Sequence, residues 1–447
     1  MSSHKTSAPP LLFHLYRGVT ALLAPFAFRK VAGKLAEHGV TPTRQRERLG
    51  YASQARPRPR AHDGSPAPLL WFHGASVGES LAALSLIDKL SPRLPGAEFL
   101  LTSGTASSAE MMAKRMPGNC HHQFAPLDAA APVRRFLNHW QPDAALFVES
   151  ELWPVTLNAT KRSGARLALV NARLSDRSIA RWKSKATTAA FVMRQFDVLL
   201  SQNPQMGQSL IALGADPEAV YPSGNLKAGS APLPVDNAVL GAMRTDLGSR
   251  PVWVASSTHR GEEEAIIAAH KSLLKQFPDL CLLLAPRHPE RAEEVTLLTQ
   301  SAGLSVARRS TGQPLEKDTN VYLADTLGEV GTWYALSPIV FVGGSLAPIG
   351  GHNPFEVAQA GAAVITGPGY FNFAETYPPL ISSGGAVEIS DSDSLAEAVQ
   401  NWLQDTAALT SARSAVRSVV EAQAAALDGV VDLLIDTLSL APALKDN

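Results

Sequence analysis

"PLLWFHGASVGESLAALSLIDKL", residues 68–90, changes its periodicity within a few positions. An apolar run ends at His73, a short glycine and serine turn follows, and apolar residues then recur at helical spacing. That order predicts a buried strand, a tight turn and a helix, the unit from which parallel sheets are wound. In the turn, Ser76 and Glu79 stand at the spacing of a capping box, which alone accounts for a glutamate at that position. It does not account for Gly74 and Gly78, which remove side chains around the carboxylate and open the turn to a ligand. Glu79 therefore reads equally as a helix cap and as a base that takes a proton from a substrate hydroxyl, with the helix N-terminus keeping it ionised.

Outward from this unit the alternation repeats. "EFLLT" (98–102), "AALFVE" (144–149), "RLALVN" (166–171) and "DVLLSQ" (197–202) are further strand runs separated by helical patterns. The polar, proline-punctuated "LKAGSAPLPVDNAV" (226–239) breaks the rhythm. It resumes with "PVWVAS" (251–256), "LCLLLAP" (280–286), "NVYLAD" (320–325), "PIVFVGG" (338–344) and "AAVITG" (362–367). Two Rossmann-like domains with a hinge near residue 230 are the simplest account, and ligand residues should follow the strands, facing a cleft. The chain's 447 residues exceed what one core usually serves, in agreement with that division.

Forty basic residues balance forty acidic ones, which argues against a general nucleic-acid binder. The balance is uneven along the chain: residues 1–60 hold eleven Lys and Arg against Glu37 and Glu47, a net of +9. Beside those charges lies the apolar "LLFHLYRGVTALLAPFAF" (11–28), broken by His14, Arg17 and Pro25 and without a signal-peptide cleavage site. It reads as an interfacial or weakly inserted anchor on an anionic membrane surface, or as a helix docked on its own domain. Cys120 and Cys281 are too few and too far apart for a disulfide framework and fit a reducing compartment.

Several strand ends carry chemistry. "ESELWPVTL" (149–157) projects Glu149 and Glu151, one of which could be a cap, and "NARLSDRS" (171–178) supplies Asn171, Arg173, Ser175 and Arg177. "SGNLKAG" puts Lys227 at the hinge. In the second half, "ASSTHRGEEEAI" (255–266) sets Ser257 and Thr258 before a helix with an acidic first turn, a turn suited to phosphate although the acidity alone is ordinary capping. "APRHPER" (285–291) offers Arg287 and His288 to a phosphate. In "GGSLAPIGGHNPFEVAQAG" (343–361), glycines including Gly344 precede Asn353 as N-cap and Pro354 at the first helical position, with Glu356 placed for ribose hydroxyls. Asp391 and Asp393 read as helix capping, and His121 and His122 lack partners at metal spacing.

Taken together, "SVGE", "ESELWP", "NARLS", "GNLK", "STHRGEE", "PRHPER", "GEVGTWY", "FVGGSL" and "GGHNPFE" resemble, in that order and across most of residues 71–375, the 3-deoxy-D-manno-octulosonic acid (Kdo) transferases of lipopolysaccharide assembly. The resemblance implies an α/β fold of two Rossmann-like domains, the B-type glycosyltransferase fold, with an N-terminal membrane-associated helix. It implies an inverting transfer of Kdo from CMP-Kdo to a lipid A precursor (lipid IVA), without metal or cofactor, at the cytoplasmic face of the cell inner membrane. The expected division is a membrane-associated segment at 1–60, an acceptor domain at 61–228 and a CMP-sugar donor domain at 229–447. By motif, Glu79 is implied as general base, with Glu149 and Lys227 in the active cleft. Ser76, Gly78 and Arg173 lie on the acceptor side, and Ser257, Thr258, Arg287, His288, Gly344, His352, Asn353 and Glu356 on the donor side. Ser256 stands where the family usually has glycine and Gly369 where many members have histidine, which bears on the shape of the donor pocket and not on the reaction. Two other readings fit the residues: another nucleotide-sugar transferase or an epimerase on the same fold, and a non-catalytic sugar-nucleotide-binding or membrane-scaffold protein in which Glu79 is only a cap.

Overall fold

The computed structural model describes residues 8–58, 64, 67–224 and 232–440; Lys227 and the other hinge residues 225–231 lie outside them. The chain forms two compact units, one comprising Met1–Ser230 with Ala424–Asn447 and the other Ala231–Gln423. The assignment of Ala424–Asn447 to the first unit departs from the expected 229–447 span. Leu427, Val430, Val431 and Leu434 on the helix Thr406–Thr437 pack with Leu86, Ile87 and Leu90 of Val77–Leu90 in one apolar cluster. The Lys89–Asp428 pair, at 2.8 Å, borders it.

The first unit holds strands β1 (Leu69–His73), β2 (Glu98–Ser103), β3 (Cys120–Phe124), β4 (Ala144–Val148), β5 (Arg166–Ala172), β6 (Val198–Ser201) and β7 (Val220–Pro222). They form one parallel sheet in the order β3-β2-β1-β4-β5-β6-β7. Every residue of β1 and β4 is buried because helices cover both faces, so these strands read as continuous apolar runs. Successive side chains serve opposite layers: Leu70 and Phe72 enter one core, Leu69 and Trp71 the other. The winding reverses between β1 and β4, where Phe72 pairs with Leu146, and this leaves a crevice at their C-terminal ends.

The second unit repeats the design with β8 (Val252–Thr258), β9 (Cys281–Pro286), β10 (Val306–Arg308), β11 (Val321–Leu323), β12 (Ile339–Val342), β13 (Ala363–Thr366) and β14 (Ala386–Glu388). Its parallel order is β10-β11-β9-β8-β12-β13-β14, and the reversal falls between β8 and β12.

The apolar N-terminal run is one helix, Leu11–Glu37, with Pro25 inside it, long and apolar enough to cross a membrane by length and composition. Both of its ends are docked on the first unit. Phe13 packs 5.0 Å from the Phe191 ring and Tyr16 donates to Asp128 at 2.9 Å, while Leu35 joins Ala109 and Phe124. Between them Leu22 and Phe26 are 76% and 66% exposed. The basic charge after the helix is partly spent inside the fold. Arg44 lies 2.6 Å from the His122 ring nitrogen, Arg48 donates to the Ala125 carbonyl, and Arg56 donates to the Trp140 carbonyl at 2.6 Å.

Buried histidines couple this packing to pH. His270 accepts from the Trp253 indole through Nδ1 at 3.2 Å, and its Nε2–H donates to the Asn320 carbonyl at 3.0 Å. Burial, with Arg250 adding to it against that carbonyl bond, lowers its pKa to about 4. The unfolded chain takes up a proton near pH 6.5 that the folded chain refuses, so stability is whole above that pH and declines as pH falls toward 4. His270 alone accounts for about 3 kcal/mol of that decline. Denaturant titrations at pH 7.5 and 4.5 should show His270→Gln losing that share of the difference, whatever its stability at neutral pH.

Candidate functional site

At the end of β1 the chain turns through Gly74 into Val77–Leu90, and the capping box is complete: Glu79 N–H donates to Ser76 Oγ at 3.3 Å. The Glu79 carboxylate accepts from Ala75 N–H at 2.7 Å and from Ser76 Oγ at 2.9 Å. A Cβ on Gly74 would meet the Glu79 carbonyl carbon at 2.8 Å, so the glycine lets the turn close onto the helix. Gly78, in the first turn of that helix, is partly exposed. The cap is thus real, and it does not exhaust the residue. Burial pushes the Glu79 carboxyl up, the Glu151 charge adds to this, and together with Glu149 they outweigh the bonds from Ser76 and Ala75. The donors of the helix end do favour the ionised form, as expected, but burial and the neighbouring charges prevail and set the net shift upward.

The charges that raise it come from the segment after β4. Glu149 adopts a left-handed backbone conformation, φ 60°, and accepts from Asn171 Nδ2 at 3.4 Å. Asn171, fully buried at φ 54°, follows the same device one strand over, and such strained positions concentrate at functional sites. Glu151 is the more enclosed carboxylate, held by His73 Nε2 at 3.1 Å and the Trp153 indole at 2.5 Å. Burial works to raise its pKa, but the His73 bond and charge and the Trp153 bond leave it below the ordinary value. His73 is fixed in turn by Thr102 Oγ1 at 3.0 Å from Nδ1. A cavity of about 110 Å³ opens beside them, lined by Trp71, His73, Ala75, Gly104, Phe147 and Trp153 among others.

In the second unit two carboxylates expected to cap a helix are instead buried. Glu262 accepts from the N–H groups of His259, Gly344, Ser345 and Leu346 at 2.7–3.0 Å and more distantly from Ala347, clamping the glycine loop after β12. Glu263 accepts both nitrogens of Arg291, at 2.8 and 3.3 Å, and the Thr258 hydroxyl at 3.0 Å. Arg291 is therefore the ion-paired arginine of "PRHPER", while Arg287 keeps its guanidinium exposed and has its backbone N–H on the Thr258 carbonyl at 3.0 Å. A Cβ on Gly343 would lie 2.7 Å from the Ser257 carbonyl oxygen; Ser257 itself has φ 55°. Gly344 abuts the His352 ring, which stacks on His259 with Nε2 atoms 2.9 Å apart. Two imidazoles so close cannot both be charged. Burial, with His259, Arg287 and His288 adding, lowers His352 to about 4, and burial lowers His259 as well. His288 borders the His259 ring edge-on and pairs with Glu290 at 3.2 Å. Asn353 caps the six-residue helix Pro354–Gln359 through Phe355 N–H, and its amide lies 3.5 Å from Glu356.

Of the residues picked out from sequence, the first unit gathers Ser76, Gly78 and Glu79 with Glu149, and places Arg173 with Glu149 around a separate polar pocket. The second gathers Arg287, His288, Gly344 and His352, with Asn353 and Glu356 following. Sequence reasoning missed His73, which as the last residue of β1 looked like strand, and His259 and Glu262, hidden in a run that reads as capping. Asp391 does cap its helix, accepting from Ser394 N–H at 2.8 Å.

Paired parallel sheets with polar side chains at each winding reversal define the fold class of B-type glycosyltransferases and of sugar-nucleotide epimerases. A glycosyltransferase from Rickettsia africae shares the fold at a TM-score of 0.56 and 10% identity over 84% of this chain and 100% of that one. The UDP-GlcNAc 2-epimerase of Neisseria meningitidis does so at 0.54 and 11%, over 83% and 100%. Sequence narrows the class. Residues 43–230 match the family described as 3-deoxy-D-manno-octulosonic-acid transferase (kdotransferase). The 3-deoxy-D-manno-octulosonic acid transferase of Haemophilus influenzae is 33% identical over 374 residues, 83% of this chain and 87% of that one. Its counterpart in Rickettsia felis is 36% identical over 327 residues, 73% and 70% respectively. The chain belongs to the Kdo transferases, a family of glycosyltransferases.

The Glu262 clamp makes a stability prediction. Glu262→Ala strands several buried N–H groups and should cost about 3 kcal/mol or more, with faster amide exchange at 344–347. Glu262→Gln should recover only part, since one acceptor oxygen becomes a donor facing donors. Denaturant titration with hydrogen exchange on both variants reads this directly.

Proposed function

We propose that this enzyme moves Kdo from CMP-Kdo to a lipid A precursor with inversion, the first unit receiving the acceptor and the second the donor. The observation that carries the reading is the partly buried Glu79 carboxylate after β1, made more basic by burial and by Glu151. In an inverting transfer the base removes the proton from the acceptor hydroxyl as its oxygen attacks the anomeric carbon, and the bond from that carbon to the phosphate oxygen of CMP breaks. CMP then leaves carrying the negative charge. Arg287, whose guanidinium is exposed beside the neutral His352 and His259, suits that phosphate, and the Glu262 clamp fixes the shape of the glycine loop that abuts His352. Asn353 and Glu356 suit the ribose, Ser257 and Gly344 shape the wall, and Thr258 acts through Glu263. Lys227 and Glu149 are proposed as further cleft residues on the family motifs, Lys227 lying outside the described residues. Ser76, Gly78 and Arg173 belong to the acceptor side.

The lipid acceptor calls for contact with a membrane, and the helix Leu11–Glu37 supplies the surface. Phe13 and Leu35, both buried on the same unit, are 22 residues apart, roughly 33 Å of helix. A helix held at both ends in this way lies along the bilayer surface rather than across it, presenting Leu11, Leu22 and Phe26 to the lipid. The inner-membrane cytoplasmic face is the location this reading assigns.

Purified protein mixed with CMP-Kdo and lipid IVA should add one or more Kdo masses to the lipid, read by mass spectrometry. Glu79→Gln should lower turnover by at least two to three orders of magnitude while donor binding persists. A folded variant with near wild-type turnover removes the base assignment. Arg287→Ala should weaken CMP-Kdo binding about 10- to 100-fold by calorimetry, the loss of one charge-assisted contact. Leu22→Asp with Phe26→Asp should release the protein from anionic vesicles at low salt; if the double variant stays bound, the membrane contact lies elsewhere.

A further inference from the structure

The helix Pro154–Arg162 opens without a cap of its own: Trp153 stands at the N-cap position with no side-chain bond to it, and Pro154 has no N–H to offer. The first N–H groups it does offer are taken from outside, by Asp128 in the loop after β3. Asp128 Oδ1 accepts from Thr156 N–H at 2.7 Å and from the Thr156 hydroxyl at 2.6 Å, and Oδ2 accepts from Val155 N–H at 3.3 Å. Those donors already serve a carboxylate that is only 8% exposed. Another reaches it from the N-terminal helix Leu11–Glu37, where Tyr16 donates to Oδ2 at 2.9 Å. The Tyr16 ring packs against the cluster holding Phe13 and Phe191, a contact that phenylalanine would make as well. Docking the helix therefore does not need the hydroxyl, and its bond to the cap of another helix is an addition.

The capped helix is entered directly from the Glu149–Trp153 segment. Trp153 donates its indole to Glu151 at 2.5 Å, Glu151 is held from the other side by His73 at 3.1 Å, and its charge bears on Glu79. Close packing does not fix this segment by itself. The cavity of about 110 Å³ borders Trp153 and Thr156 on the Asp128 side. A second, of about 360 Å³, separates Glu151, Leu152 and Trp153 from Leu12, Phe13 and Tyr16 of the N-terminal helix. With free volume on two sides, directed hydrogen bonds set where Trp153 and Glu151 stand. We propose that Tyr16 and Asp128 are positioning residues for the transfer. Through them the seated N-terminal helix holds the Glu149–Trp153 segment, and with it Glu151, against Glu79. Turnover then depends on how that helix is seated and not only on whether the protein reaches the lipid. The proposal rests on the reading of Glu79 as the base.

Tyr16→Phe keeps the ring and removes the hydroxyl. In transfer from CMP-Kdo to lipid IVA its kcat should fall about tenfold, the loss of one bond to a charged group, while KM for both substrates and binding to anionic vesicles stay within about twofold of wild type. In the free protein the Trp153 indole N–H resonance, assigned with Trp153→Phe, should move, and the Glu79 carboxyl should titrate lower than in wild type. An unchanged kcat overturns the proposal, and so does a fall in kcat with the indole resonance unmoved. A loss carried by lipid KM or vesicle binding alone overturns it too, since Tyr16 would then only anchor. Asp128→Asn leaves the helix an acceptor and should retain more turnover than Asp128→Ala; equal turnover in the two also overturns it. Should Asp128→Ala fail to fold, Tyr16→Phe decides alone. If wild type transfers no Kdo to lipid IVA, the transfer reading fails, and the free protein still decides the link: an indole resonance and a Glu79 titration that both move in Tyr16→Phe support it, and either one unmoved overturns it.

Discussion

Glu79 sits where two opposed influences meet: backbone and serine donors of a helix N-terminus that favour its charge, and burial with two neighbouring carboxylates that oppose it. Much else in the first unit serves that contest. The winding reversal between β1 and β4 delivers Glu79 and Glu149 to the same crevice from different strands. His73, braced by Thr102, keeps Glu151 ionised beside Glu79, so the nearby negative charge persists instead of being lost to protonation. Without the imidazole, burial would raise the Glu151 carboxyl instead, and less negative charge would bear on Glu79. The cap and the proposed base role of Glu79 are therefore compatible: the cap fixes the carboxylate's position and its surroundings raise its basicity.

The second unit solves a different problem with the same topology. Its glycine loop after β12 needs a fixed shape that the loop's own sequence does not impose. Glu262 imposes that shape by accepting from the N–H groups of the glycine loop, and Glu263 anchors Arg291 and Thr258, leaving Arg287 exposed. The stacked His259 and His352 remain neutral, so they add donors and acceptors there without repelling the guanidinium.

The inner strands of both sheets were legible in the sequence because helices cover them on both faces, which forces unbroken apolar runs such as those of β4 and β12. The four strands that the pattern did not disclose, β3, β7, β10 and β14, are the four sheet edges. Edge strands are short or polar: "CHHQF" in β3 carries His121 toward Glu98 and His122 toward Ser103, a pairing no periodicity announces. In the site, residues at strand ends next to glycine were readable, since a glycine turn marks close approach. His73, Glu262 and Glu263 were not, because burial converts an ordinary strand end or cap into a buried polar contact, and burial belongs to the fold. The arginine charge at 44–56 misled in the other direction, as the inward bonds of Arg44, Arg48 and Arg56 depend on distant carbonyls and on His122.

The central claim is that the surroundings of Glu79 make it a stronger base than a free carboxylate. Carbon-13 NMR titration of the Glu79 carboxyl, assigned by comparison with Glu79→Gln, measures this directly in wild type and in Glu151→Gln. The account predicts titration above the ordinary glutamate value of about 4.3 in wild type and a downward move when the Glu151 charge is removed. Titration at or below that value, unmoved by the loss of Glu151, would contradict it.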